Sequence, residues 1–195
     1  MHHPPIDRLA DLQQFIADLA KVQRAPHLAD NNRQENDVEH SFGLALTCWY
    51  LQPKIASELD LLKILQYALA HDAVEVHAGD TFAHDKAAMA LKDDRERAAI
   101  DTLRSDWSDF PELADFAEGY MDRIDEEAKF VKAVDKILPV IMTELGLKND
   151  SFWARTGIDL AEIRANKVSI RVSDYVRPYY EKLIVWLEER GNISI

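Results

Sequence analysis

Histidine and aspartate stand side by side at His71-Asp72, inside a stretch of apolar residues with helical spacing. Ionisable groups are costly to bury unless they are paired or bind an ion. Glu75 follows four residues after His71, His40 lies upstream in Glu-His-Ser, and Asp135 lies in Lys-Ala-Val-Asp. On a helix, residues 71 and 75 share a face, and 72 is rotated by about 100° from 71, so all three reach toward one point beside the helix. Imidazole nitrogen and carboxylate oxygen suit Mn, Fe, Co, Ni or Zn. Ligands at His40, His71, Asp72 and Asp135 would leave positions open for water and substrate. The chemistry of such a set is metal-assisted hydrolysis, with a carboxylate at hand to move protons. By spacing alone, a metal site and a paired structural cluster are equally good readings. A second pair, His84-Asp85, reads as a solvated loop, and His27 and His77 read as surface residues.

Helices must carry these groups. Ile6, Leu9, Leu12, Phe15, Ile16 and Leu19 mark a first amphipathic helix. Polar and Pro signals from Arg24 to Asn32 mark a break. Helices are expected over Val38–Leu51, Leu59–His77 (stopped by Gly79), and Ala87–Arg104 after a loop from Asp80 to Lys86. Trp107–Pro111 is a break followed by a short helix. A long helix over Glu126–Leu145 should bend at Pro139. A helical connection spans 151–165, and a final helix runs over Val168–Glu189. No alternating strand of convincing length is present. The expectation is an all-α bundle, residues 1–195 forming one domain.

Net charge is −12 over 195 residues, a surface that repels polyanions and argues against binding DNA or RNA polymers. No run of about 18 apolar residues exists to span a membrane. The single cysteine, Cys48, excludes an intrachain disulfide and reads as a buried inert thiol. A cytoplasmic protein is expected. The final helix carries a broad apolar face at Tyr175, Val176, Tyr179, Tyr180, Leu183, Ile184, Trp186 and Leu187, read first as core and second as a homodimer interface. Trp49, Trp107 and Trp153 are expected to pack rather than to stack on a base.

Four segments occur in a telling order: Arg24, then Arg33-Gln-Glu-Asn-Asp-Val-Glu-His40-Ser41, then His71-Asp72-Ala-Val-Glu75-Val-His-Ala-Gly79-Asp80, then Phe130-Val-Lys-Ala-Val-Asp135. This order resembles the HD-domain metal-dependent phosphohydrolases, in particular the bacterial 5'-deoxynucleotidase-like group. The resemblance implies an HD-type helical bundle around one divalent ion (Mn, Co, Fe, Ni, Zn or Mg). It implies metal ligands at His40, His71, Asp72 and Asp135, and a catalytic carboxylate at Glu75. It places Asp80 against the substrate sugar and the reacting water, Arg24 against phosphate, and Arg33 as a support of the site.

The implied activity is a 5'-nucleotidase, releasing phosphate from (deoxy)nucleoside 5'-monophosphates by attack of a water activated on the ion. The alternatives are a (deoxy)nucleoside triphosphate hydrolase and a non-catalytic nucleotide-binding regulator. The chain departs from that group at Ala25, where its members commonly carry a Trp that crowds the ribose. It departs again at Thr81-Phe82-Ala83-His84-Asp85, so the chemistry carries over better than the substrate.

Overall fold

Polar caps start the helices that bear the singled-out residues. Asn36 accepts from the Glu39 backbone N–H at 3.0 Å while the Glu39 side chain reaches back to the Asn36 N–H, a reciprocal capping box. Asp60 caps the next helix through the N–H groups of Leu62 and Lys63. Asp125 caps a third through Ala128 N–H at 2.8 Å. Asp125 also accepts from the Tyr67 hydroxyl at 2.8 Å, tying two of these helices together. Gly119 permits close approach at the same place, since a Cβ there would lie 3.0 Å from the Tyr67 hydroxyl.

The structure is a computed structural model and describes residues 4–27, 33–79, 91–146, 153, 157–165 and 171–193. Its elements run α1 (Ile6–Leu19), β1 (Gln23–His27), β2 (Gln34–Asn36), α2 (Asp37–Ile55), α3 (Leu61–Ala70), α4 (Glu75–Ala78), α5 (Lys92–Asp106), α6 (Glu112–Asp122), α7 (Glu126–Leu145), α8 (Leu160–Ala165) and α9 (Arg177–Arg190). The described fold is all-α apart from one antiparallel strand pair, with Gln23 opposite Asn36 and His27 opposite Gln34. No described helix is long and apolar enough to cross a membrane.

Two apolar clusters form. The larger joins α2, α3, α7, α8 and α9 around Leu44, Ile64, Tyr67, Phe130, Val131, Leu160 and Leu187. The smaller gathers Ala73, Val74, Ile100, Leu103, Trp107 and Ala117, with Leu12 and Phe15 of α1 against it. Tyr67 and Ala68 belong to the first cluster and Ala73 and Val74 to the second, so His71-Asp72 falls at the seam between them.

Several expected boundaries shift. The strand pair replaces the expected break, because residues 23–27 and 34–36 satisfy each other's backbone groups. The helix expected to run unbroken from Leu59 to His77 ends at Ala70 and resumes at Glu75. Between them the chain makes tight turns, Ala73 N–H to Ala70 C=O at 3.0 Å and Glu75 N–H to Asp72 C=O at 2.9 Å. The last helix starts at Arg177, which puts Pro178 in its first turn, where a missing N–H is tolerated.

Packing consumes most of the final helix face: Val176, Tyr180, Leu183, Ile184 and Leu187 are buried, and Tyr175, Tyr179 and Trp186 lie against the core. Trp107 and Trp153 are buried, whereas Trp49 is exposed beside Phe42, Leu46 and Tyr50 on α2. Cys48 is fully buried, and burial pushes its thiol far above the usual range.

Candidate metal centre

His40 sits in the first turns of α2, just after the capping box, and is almost wholly buried. His71 caps the C-terminal end of α3, and Asp72 opens the turn toward α4. One ligand atom from each of these three lies within 4.8 Å of the other two. Asp135, in mid-α7, adjoins this group through His40, with Oδ1 3.0 Å from His40 Nε2. Pro139 lies inside α7 and has no N–H to offer the Asp135 carbonyl.

Each imidazole is oriented from behind. His71 Nδ1–H donates to the Ala68 carbonyl at 2.9 Å, which leaves Nε2 to face Asp72 Oδ2 at 2.9 Å. That Nε2 makes no well-aligned hydrogen bond despite the short separation. His40 Nδ1 faces Glu35 Oε2 at 3.3 Å, and its Nε2 faces Asp135. Each Nε2 thus faces a carboxylate, while His71 Nδ1 is held by the Ala68 carbonyl and His40 Nδ1 faces Glu35. This arrangement fits a divalent metal, whose histidine ligands are steadied through their other nitrogen.

Electrostatics keep the carboxylates ionised. Burial alone would raise Asp72, but His71 and Arg24 outweigh it and hold the carboxyl well below its usual range. Burial likewise opposes ionisation of Asp135, and Lys136 and His40 hold it well down. Burial lowers His40, but bonds to Asp135 and Glu35 outweigh it and raise the imidazole to about 9. Tyr120 donates to Asp135 Oδ2, and burial first, then Asp135, keep its hydroxyl protonated.

The other expected site residues fall in three places. Glu75 is buried at the start of α4, one tight turn past Asp72, with Lys92 Nζ 3.8 Å from its Oε1. Arg24, on β1, is buried and forms ion pairs with Asp72, Asp37 (3.2 Å) and Glu35 (3.7 Å). Arg33 stands apart from the cluster, half exposed, with its guanidinium clamped on Glu39 of the capping box. Asp80 lies outside the described residues, as do His84, Asp85 and the side chains of Ala25 and His27. His77 faces Asp106 at 3.6 Å, away from the cluster.

Residues 16–174 match the HD domain family. The chain belongs to the HD-domain family. Among solved structures it is similar to a predicted metal-dependent phosphohydrolase from Magnetospirillum magnetotacticum. That crystal structure superposes with a TM-score of 0.79 at 26% identity, over 96% of this chain and 99% of that one. A conserved hypothetical protein from Pyrococcus furiosus shares the fold, with a TM-score of 0.62 at 22% identity over 89% of this chain and 98% of that one. In sequence, the chain is 28% identical over 131 residues to the 5'-deoxynucleotidase HDDC2 of Xenopus laevis, a match spanning 64% of each protein.

Sequence reasoning passed over Glu35, Asp37 and Tyr120. Glu35 and Asp37 lie between Arg33 and His40 in the quoted segment, and Glu35 falls on strand β2, which brings it beside β1 and Arg24. Strand pairing was the absent signal. Tyr120 lies 15 residues before Asp135 and meets it only through the packing of α6 on α7.

Arg24 offers a test of this support. Its removal takes a buried guanidinium away from three buried carboxylates, Asp72, Asp37 and Glu35. An Arg24→Met protein stripped of metal is expected to lose about 3–5 kcal/mol of stability, since one partner of a buried ion pair is gone. Urea unfolding of parent and variant in chelator measures it, and equal midpoints would remove the structural role.

Proposed function

We propose that this HD-domain hydrolase is a 5'-nucleotidase that releases phosphate from (deoxy)nucleoside 5'-monophosphates. The observation that carries the reading is a His/Asp cluster with a buried carboxylate, Glu75, one tight turn from Asp72. The similarity to a 5'-deoxynucleotidase supports the substrate class.

His40, His71, Asp72 and Asp135 would hold the ion. When bound, a divalent ion polarises a phosphoryl oxygen and lowers the pKa of its water. Glu75 takes and returns a proton at its carboxylate, and its burial keeps that carboxylate from competing water. Arg24 holds Asp72 in place through its guanidinium and sets positive charge beside the phosphate. Asp80 is proposed to contact the sugar, and Arg33 to steady the α2 start that carries His40. Phosphoryl transfer rests mainly on such positioning and charge. A homodimer is proposed as well, and sedimentation of the purified protein measures it.

A nucleotide screen with several divalent metals tests the activity. Metal-dependent release of inorganic phosphate from monophosphates is the expected result. Release of pyrophosphate or triphosphate would replace the reading with a triphosphate hydrolase, and nucleotide binding without turnover would replace it with a regulator. Alanine at position 25 removes the steric wall that Trp supplies elsewhere, so AMP and dAMP are expected to be hydrolysed with similar kcat/KM. A preference of about a thousandfold for dAMP would show that another residue reads the sugar.

A further inference from the structure

The cations around the cluster differ in how they are occupied. Arg24 is committed to three carboxylates. Lys92 lies 2.6 Å from Glu96 and 3.8 Å from Glu75. Lys136 lies 2.7 Å from Asp135 Oδ2. Lys132 makes no ion pair among the described residues. It sits one helical turn before Asp135 on α7, half-buried, with Nζ 4.2 Å from the centre of the Tyr120 ring.

That ring connects Lys132 to the metal centre. The Tyr120 hydroxyl donates to Asp135, and its ring meets the His71 ring edge-on at 5.0 Å between centres. One aromatic ring thus touches a proposed ligand on two sides and carries a cation on its face. Lys132 is near enough to Asp135 and Asp72 to feel both charges but is paired with neither. Burial, then Lys136, lower its ammonium to about 8, as befits a cation without a counter-ion. A phosphate bound at the cluster would supply one.

We propose that Lys132 binds the substrate's phosphate, with the Tyr120 ring as the platform that holds its ammonium in place. The proposal deepens the nucleotidase reading and rests on it for the substrate, while the anion-binding role can be measured separately. Lysine suits the task as a compact point charge, complementing the forked guanidinium of Arg24.

The test uses the full chain loaded with a divalent metal, comparing parent, Lys132→Gln and Lys132→Arg. Inorganic phosphate affinity is read by calorimetry, metal content by elemental analysis, and KM and kcat on a nucleoside monophosphate. Lys132→Gln is expected to weaken phosphate about 10- to 100-fold and to raise KM comparably, the effect of losing a charged hydrogen bond. Metal content should stay at the parent level, and Lys132→Arg should recover most of the phosphate affinity. Unchanged phosphate affinity and KM in Lys132→Gln would overturn the proposal, as would loss of metal together with phosphate, which marks a merely structural residue. If the parent hydrolyses no monophosphate yet its phosphate affinity still depends on Lys132, the nucleotidase reading fails and the anion site stands.

Discussion

A His71→Ala protein is expected to purify without its metal and without phosphatase activity. His71 is buried, its Nδ1–H is committed to the Ala68 carbonyl at 2.9 Å, and its Nε2 faces Asp72 at 2.9 Å. Alanine removes that nitrogen. Loss of an outer-shell partner lowers metal affinity roughly 10–100-fold, and loss of a ligand should exceed that. Elemental analysis after equilibration with limiting metal reads the effect, with circular dichroism as the control for folding. A folded His71→Ala protein with full metal occupancy would take His71 out of the ligand set.

The second large effect is expected at Glu75, where Gln should keep the metal and lose turnover. The side chain is buried at the start of α4, and Lys92 lies 3.8 Å away. Glutamine preserves shape and hydrogen bonding but cannot exchange a proton. General acid–base contributions are about 10²–10⁴-fold, or about 3–5 kcal/mol. kcat measured at saturating nucleotide, with metal content checked on the same sample, decides the matter. Turnover equal to the parent's would reassign Glu75 to structure, and loss of metal would make it a ligand.

Some of this protein is written in short-range terms. Apolar periodicity announces α1, α3 and α7, since one buried stripe per helix is a property of neighbours three and four apart. Asn36 with Glu39, Asp60 and Asp125 are cap residues whose partners lie within three positions. The order of the His, His-Asp and Asp segments was enough to indicate the HD domain and its all-α fold. These features depend on spacing along the chain, and spacing is what a sequence displays.

Other features depend on which segments meet. The strand pair was not legible, because two short strands owe their existence to each other rather than to any pattern within them. The break after Ala70 was hidden because apolar spacing carries on through Ala73, Val74 and Val76. Apolar residues before it pack in one cluster and those after it in another, and only that division makes the chain turn at His71. The same holds for the charges. Arg24 looks in sequence like an unpaired cation, yet packing sets it among Glu35 of β2, Asp37 at the start of α2 and Asp72 after α3. Lys132 looks like one of many surface lysines, yet packing sets it over Tyr120, with no ion pair among the described residues. The sequence by itself determined the helices, the family and the types of group that could bind an ion. The tertiary structure decided which of those groups are buried, which are paired and which way each imidazole faces. Burial and ion pairing arise between residues tens of positions apart, and their energies follow distance in space rather than separation along the chain.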